Sequence, residues 1–284
     1  PETADRFTVV PFSSPLDIFK PTTPGTTTMK GIILAGGTGS RLHPLTKVTN
    51  KHLLPVGSVP MIYHPIQALV NAGIEEIMIV TGGNSAGDFL RLLGNGKDFG
   101  LKHLDYTFQE GEGGIAAALR LAEHFSEHQR IVVILGDNII EGSIRNAVDG
   151  YRKQPEGGRI LLKEVPDPER FGCPVFDGDR IVRIEEKPEK PASSYAVTGI
   201  YMYDEKVWDI ISTLVPSGRG ELEITDVNNA YIEAGTLHHD LLEGWWTDAG
   251  TFPSLLRANL LAGMKEGMTD ELDLPSILPA PTSN

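Results

Sequence analysis

The chain has 284 residues, a formal net charge of −13 at pH 7 and a single cysteine, Cys173. This length can bury a sizeable core in one or two domains, and the acidity argues against a general nucleic-acid-binding surface. One cysteine excludes an internal disulfide framework and a cysteine-rich zinc site. No apolar run approaches the ~20 residues of a membrane span, and the first residues lack the pattern of a signal peptide. We therefore expect a cytoplasmic protein without a membrane or nucleic-acid partner, in which any phosphate site is a local basic pocket.

The two ends of the chain differ in composition from the part between them. Residues 1–28 are rich in proline and threonine, which is typical of a flexible arm. Residues 266–284 are polar, acidic and contain prolines, which predicts a loose tail. Between them we predict a single domain, 29–265, made of a first half (29–140), a second half (141–250) and a C-terminal helix (251–265).

Apolar periodicity predicts strands that alternate with helices in the first half of this domain. The predicted elements are, in chain order, a strand at 32–35, a helix at 58–72, a strand at 76–81, a helix at 88–93, a strand at 102–108, a helix at 114–125 and a strand at 131–135. Such alternation predicts an α/β fold, with a mostly parallel, doubly wound, Rossmann-like sheet and right-handed crossovers.

The second half has a more α+β character and predicts an insertion or lid on the same sheet. Its Asp177-Gly178 pair is a hairpin signal. The other predicted elements are strands at 159–165, 181–185, 195–203 and 237–242 and helices at 204–214, 222–234 and 253–265.

The first strand ends in a glycine-rich turn at Gly36, Gly37 and Gly39, followed by Arg41. Glycine permits unusual backbone angles and the close approach of a phosphate. A dinucleotide fingerprint would need a third glycine where Leu42 stands, and the Gly-Lys-Ser/Thr string of a P-loop is missing. The turn with its nearby cations therefore predicts another kind of polyphosphate site, the alternative being a tight turn without a ligand.

Two aspartates are candidate metal ligands. Asp137 lies just after the end of the apolar strand 131–135, and in parallel sheets ligands bind outside the carboxyl ends of the strands. A carboxylate there suits Mg²⁺, which takes one or two carboxylates together with phosphate oxygens. Asp248, in Trp245-Trp246-Thr247-Asp248, is the second candidate. For both residues the alternative interpretation is a helix N-cap.

The run from Gly36 to Thr46, followed by Lys51-His52-Leu53-Leu54-Pro55, resembles the signature of the sugar-1-phosphate nucleotidylyltransferases. The resemblance extends from about residue 29 to about residue 262 and is strongest to members that transfer a thymidylyl group. It implies the formation of dTDP-glucose and pyrophosphate from dTTP and α-D-glucose 1-phosphate, with Mg²⁺ and without a covalent enzyme intermediate. It also implies a role in supplying dTDP-deoxysugars of the rhamnose type, and a homo-oligomer, either a dimer or a tetramer.

The same resemblance implies the roles of individual residues. Lys51 would lie near the α-phosphate and Arg41 near the leaving pyrophosphate, and Asp137 and Lys187 complete the catalytic set. Asp137 and Asp248 would hold the metal ion. The nucleotide-binding residues would be Leu34, Gly36, Gly37, Thr38, Gly39, Arg41, Lys51, Gln109, Gly114 and Asp137. The sugar-phosphate-binding residues would be Phe171, Gly172, Glu186, Lys187, Val197 and Arg219.

Some positions depart from the family pattern, and alternatives follow from them. Phe171 replaces a tyrosine, and residues 110–113 replace a more proline-rich loop. One alternative is therefore an enzyme that uses UTP or another sugar phosphate, since thymine and uracil differ by a single methyl group. A non-catalytic sugar-nucleotide sensor and a dinucleotide-dependent enzyme are the alternatives from other classes. The histidines show no metal-binding spacing and are interpreted as surface or core residues.

Overall fold

The computed structural model describes residues 28–83 and 85–268. Apart from residue 28 and residues 266–268, the predicted N-terminal arm and C-terminal tail lie outside these ranges. The strands are β1 (Met29–Ala35), β2 (Pro55–Val56), β3 (Val59–Pro60), β4 (Glu76–Gly82), β5 (His103–Gln109), β6 (Arg130–Leu135), β7 (Asn138–Ile140), β8 (Gly158–Glu164), β9 (Gly172–Asp177), β10 (Arg180–Glu186), β11 (Tyr195–Tyr203), β12 (Leu237–Leu241) and β13 (Trp246–Asp248). The helices are α1 (Tyr63–Asn71), α2 (Ala86–Leu93), α3 (Ile115–Arg120), α4 (Glu123–Ser126), α5 (Arg145–Lys153), α6 (Lys206–Thr213), α7 (Ile224–Glu233) and α8 (Phe252–Lys265).

Seven strands form one sheet in the order β12-β8-β11-β6-β1-β4-β5. Neighbouring strands are parallel except β11, which runs antiparallel to both β6 and β8. This confirms the prediction of a mostly parallel α/β sheet. Strands from both predicted halves belong to this sheet, whereas β9 and β10 form a separate hairpin whose turn contains Asp177-Gly178, as predicted.

The core lies on both faces of the sheet because successive residues of a strand point to opposite sides. On β1, Ile33 packs in a cluster with α1, α2 and α5, whereas Ile32 and Leu34 pack in a cluster with α3, α6 and α7. A third cluster lies beneath α8 and includes the fully buried Leu42. Helices therefore cover both faces, which confirms the doubly wound arrangement. None of the helices within the described ranges is long and apolar enough to cross a membrane.

Several predicted boundaries were wrong. The helix predicted at 58–72 begins only at Tyr63, because Val59 and Pro60 pair with Pro55 and Val56 in a small hairpin. The helix predicted at 114–125 is divided into α3 and α4. Helix α5 and the short β7–β13 pair were not predicted. The sequence distance between β7 and β13 explains the last omission, since only the tertiary fold brings them together.

Candidate active site

The glycine turn lies at the carboxyl end of β1, where backbone and side chains approach closely. A Cβ atom at Gly82, the last residue of β4, would overlap the carbonyl oxygen of Gly36, and one at Gly36 would overlap the Gln109 side chain. Gly39 has φ 67°, the left-handed region that glycine adopts readily. Its carbonyl accepts a hydrogen bond of 2.7 Å from Thr46 Oγ1. These close contacts and the hydrogen bond fix the backbone conformation of the turn beside the end of β5.

A buried ion pair lies beside this turn. Lys51 Nζ donates to Asp137 Oδ2 over 2.6 Å, and only 12% and 11% of the two side chains are exposed. A Cβ atom at Gly37 would lie 4.0 Å from Lys51 Nζ. Burial raises the pKa of Asp137, but the charge of Lys51 and its hydrogen bond outweigh this effect and lower that pKa well below its usual value. Asp137 is therefore ionised at neutral pH.

Arg41 and Asp248 converge on the same place. Their common neighbour is Gly250. A Cβ atom added at Gly250 would lie 3.1 Å from Arg41 Nη2 and 3.4 Å from Oδ2 of both Asp137 and Asp248. The β7–β13 pair causes this convergence, because it sets Asp248 opposite Asn138 in register. The structure thus brings together four of the predicted residues, which come from three distant parts of the chain.

The two carboxylates fit a divalent cation. Burial and the charge of Asp137 raise the pKa of Asp248, so a positive ion between the two groups would relieve their repulsion. Arg170 Nη2 lies 3.3 Å from Asp248 Oδ1 and neutralises part of this charge. No group of three or more His, Cys, Asp or Glu side chains suited to a metal occurs in the described part of the chain. A cation here would take its remaining ligands from phosphate oxygens and water, as is usual for Mg²⁺.

A second cluster surrounds Glu186 at the end of β10. Glu186 Oε2 accepts a 2.6 Å hydrogen bond from Thr225 Oγ1, and Oε1 lies 3.2 Å from Lys187 Nζ and 3.3 Å from Arg219 Nη2. Arg219 also binds Glu223 over 2.8 Å. Lys187 and Arg219 are only about half buried, so both cations remain accessible to an anion. Two cations and a carboxylate next to each other suit a sugar phosphate, with the cations on the phosphate and Glu186 on hydroxyl groups.

The two clusters are neighbours. Burial, followed by the charges of Glu186 and Asp137, raises the pKa of the buried Tyr201. Phe171 packs edge-to-face on Trp246 of β13, with the ring centroids 5.1 Å apart. Its carbonyl accepts the backbone N–H of Lys187 over 3.0 Å. Phe171 therefore lies between the Asp248 strand and the Glu186 cluster, and Gly172 begins β9 beside Thr225 and Glu186.

The remaining predicted residues lie in different surroundings. Gln109 covers Gly36 at the end of β5, whereas Gly114, with φ 89°, directly precedes α3 and lies against the backbone of Leu222. Thr38 Oγ1 donates to Glu112 over 2.6 Å, so the loop after β5 touches the glycine turn. Leu34 and Val197 are buried, and both side chains pack in the core cluster on the α3 face of the sheet.

The structure excludes the alternative interpretation of the two aspartates as helix caps. Asp137 precedes strand β7 rather than a helix, and the N-cap of α8 is Thr251, so neither Asp137 nor Asp248 is a helix cap. The prediction also missed polar residues that complete both clusters. Arg170 directly precedes the predicted sugar-binding residue Phe171 in the sequence and could have been chosen for its charge. Thr225 carries no comparable signal, and neither does the buried Tyr201.

Comparisons with known proteins agree with this fold and site. The sequence profile described as "Nucleotidyl transferase" matches residues 30–263. The chain belongs to this family. It is 44% identical over 234 residues to the glucose-1-phosphate thymidylyltransferase of Neisseria meningitidis, a match that covers 81% of each chain. It is 41% identical over 254 residues to the enzyme of the same name from Mycolicibacterium smegmatis, covering 86% of this chain and 88% of the relative.

Solved structures give the same result. A Bacillus anthracis protein, assigned as a glucose-1-phosphate thymidylyltransferase and crystallised with sucrose, is 56% identical. It superimposes with a TM-score of 0.80 over 83% of this chain and 95% of its own. A UDP-glucose pyrophosphorylase bound to UDP-glucose has a TM-score of 0.74 at 22% identity over 84% of this chain and 99% of its own, so that similarity shows the fold alone.

Proposed function

We propose that this protein is a glucose-1-phosphate thymidylyltransferase, which converts dTTP and α-D-glucose 1-phosphate to dTDP-glucose and pyrophosphate. The observation that carries the proposal is the convergence of Arg41, Lys51, Asp137 and Asp248 beside the Glu186 cluster. Relatives of this name at 41–44% identity support the choice of substrates. The product is an activated sugar, which suits a pathway to deoxysugars of the rhamnose type.

In the proposed reaction, an oxygen of the sugar phosphate attacks the α-phosphorus of dTTP. A new P–O bond forms while the bond from the α-phosphorus to the bridging oxygen breaks, and pyrophosphate leaves with that electron pair. The nucleophile is already ionised, so no general base is needed. The protein's task is to align the two anions and to neutralise their charge. Lys51 is proposed to contact the α-phosphate and Arg41 the leaving pyrophosphate.

Asp137 and Asp248 are proposed to hold a divalent cation, specifically Mg²⁺. When bound, such an ion supplies positive charge that offsets the phosphate charges and orients the triphosphate. The protein prepares for it by keeping Asp137 ionised through Lys51.

The second cluster is proposed to bind the sugar phosphate. Lys187 and Arg219 would bind its phosphate, and Glu186, held in place by Thr225, would accept hydrogen bonds from sugar hydroxyls. Phe171 and Gly172 would form part of the wall around the sugar ring, whereas the side chain of Val197 packs in the core and would not line it. The ring of Phe171 keeps the aromatic surface but offers no hydroxyl group, so a tyrosine-like hydrogen bond to the sugar is not expected.

The base is proposed to lie against Gln109 and the backbone of Gly114. An amide side chain both donates and accepts, which matches the edge of a pyrimidine. A pocket distinguishes thymine from uracil by the methyl group alone, which is worth only about 1–3 kcal/mol. We therefore expect UTP to be used more slowly rather than to be rejected.

A pyrophosphate-release assay tests the proposal directly. It would combine dTTP, UTP, CTP and GTP with glucose 1-phosphate, galactose 1-phosphate and mannose 1-phosphate, each with and without Mg²⁺. The proposal requires the highest kcat/KM for dTTP with glucose 1-phosphate and loss of turnover when Mg²⁺ is removed. Binding of dTDP-glucose without turnover of any pair would instead indicate a sugar-nucleotide sensor.

A homo-oligomer is also proposed, and α8 offers a surface for it. The α8 stripe consists of Phe252, Leu256, Leu260 and Met264, which recur every four residues, and of Met268, which follows the end of the helix; all five are 45–63% exposed. Burying two such stripes against each other would remove roughly 1,000 Å², near the lower limit of a specific interface. Light scattering after gel filtration would test this, since Leu260→Asp should yield a monomer and an unchanged mass would exclude the stripe.

A further inference from the structure

Lys51 is flanked by two buried polar residues that the proposed reaction does not use. Asn50 and His52 are 7% and 2% exposed, and they border the single turn that presents Lys51. Buried polar groups need hydrogen-bond partners, and these two residues satisfy each other. Asn50 Oδ1 accepts the backbone N–H of His52 over 2.9 Å and lies 2.7 Å from His52 Nδ1.

The pair is attached to the end of β1. Asn50 Nδ2 donates to the carbonyl of Ala35, the last residue of β1, over 3.3 Å. The amide nitrogen of Asn50 is therefore the donor and its oxygen the acceptor, which assigns the hydrogen of the neutral His52 ring to Nδ1. Burial, followed by the neighbouring Lys51, lowers the pKa of His52 to about 3, so the ring stays neutral at working pH.

The other edge of the His52 ring faces the end of β6. A Cβ atom at Gly136 would lie 2.7 Å from His52 Cδ2, so the ring contacts the residue just before Asp137. Gly136 in turn donates its N–H to the carbonyl of Leu34 over 2.9 Å. The ring thus fills the space between the turn that carries Lys51 and the strand end that carries Asp137.

We infer that Asn50 and His52 are positioning residues, which hold Lys51 at the distance from Asp137 and the glycine turn that the transfer step needs. This inference rests on the proposed function. Misplacing a reacting group by about 1 Å can cost on the order of 10²-fold in rate. Without the hydrogen bond from His52 Nδ1, the Asn50 amide is held only by the backbone N–H of His52 and by the carbonyl of Ala35, so the turn that carries Lys51 is fixed less firmly to the end of β1.

A double-mutant cycle with Lys51 tests the inference. His52→Leu introduces an apolar side chain of similar size and removes the hydrogen bond, and we expect kcat to fall roughly tenfold with little change in KM. His52→Gln, which keeps a donor, should recover at least part of that loss. In the Lys51→Ala background, His52→Leu should have no further effect on kcat beyond about twofold, because it acts through the absent lysine.

The outcomes separate this inference from the proposed function. Absence of pyrophosphate release in the unmodified protein refutes the function, whereas an active protein with additive effects of the two substitutions refutes the positioning role. His64→Leu is the matched control, because it removes a histidine hydrogen bond outside the site, the one between His64 Nε2 and the carbonyl of Val56 at 3.0 Å. Should His52→Leu not fold, Asn50→Ala in the same cycle removes the same hydrogen bond and must give the same non-additivity.

Discussion

Replacing Asp248 by asparagine should stabilise the protein while abolishing its reaction. The Oδ2 atoms of Asp137 and Asp248 each lie 3.4 Å from the point that a Cβ atom would occupy at Gly250, so the two oxygens are no more than about 7 Å apart. Two negative charges at that distance repel each other by about 2 kcal/mol at an effective dielectric constant near 20. The ion pair with Arg170, whose side chain is 38% exposed, offsets roughly 1 kcal/mol of this. We expect a net gain of about 1 kcal/mol, or a Tm increase of about 2–4 °C.

The pH dependence follows from the raised pKa of Asp248. Its ionised carboxylate is less stable in the folded than in the unfolded chain, so the penalty applies above the folded pKa. It disappears as the pH falls below the unfolded value of about 3.9. The stabilisation of Asp248→Asn should therefore be complete at neutral pH and shrink as the solution is acidified.

Thermal unfolding at pH 7.5, with and without Mg²⁺, measures these effects. Mg²⁺ should raise the Tm of the unmodified protein, because a ligand that binds only the folded state stabilises it, and should not raise that of Asp248→Asn. Asp240→Asn is the control. Asp240 forms an ion pair of 2.6 Å with Arg159, outside the pair of carboxylates at Asp137 and Asp248, and losing this ion pair should lower the Tm slightly. A lower Tm for metal-free Asp248→Asn would refute the reasoning.

Four further substitutions have defined outcomes. Lys51→Ala and Asp137→Asn should each lower kcat by at least ~100-fold in the pyrophosphate assay, because charge stabilisation is the main catalytic device; near-normal rates would exclude these roles. Lys187→Ala should raise KM for the sugar phosphate at least tenfold and leave KM for dTTP within about twofold, and equal changes in both would contradict its placement. Gly82→Ala should cost about 1–3 kcal/mol of stability and most of the activity, since its Cβ would displace Gly36.

Much of the fold could be predicted because local patterns and tertiary packing agree. The apolar run at 131–135 had to be a buried strand wherever it lay, and Asp177-Gly178 had to be a turn. The glycine turn with Arg41 and Lys51 was readable for the same reason, since its residues are close in sequence. The wrong start of the helix predicted at 58–72 shows the limit, because a small hairpin with Pro55 outweighed the helical periodicity.

The candidate site depended on the tertiary structure at the points where distant segments meet. Asp137 and Asp248 are 111 positions apart, and nothing in their spacing predicts that β7 and β13 pair beside each other. Residue type alone determined which side chains could carry charge or bind a metal ion. Their distances, their burial and hence their pKa values came from packing, because burial and the placement of neighbouring charges are properties of the folded chain.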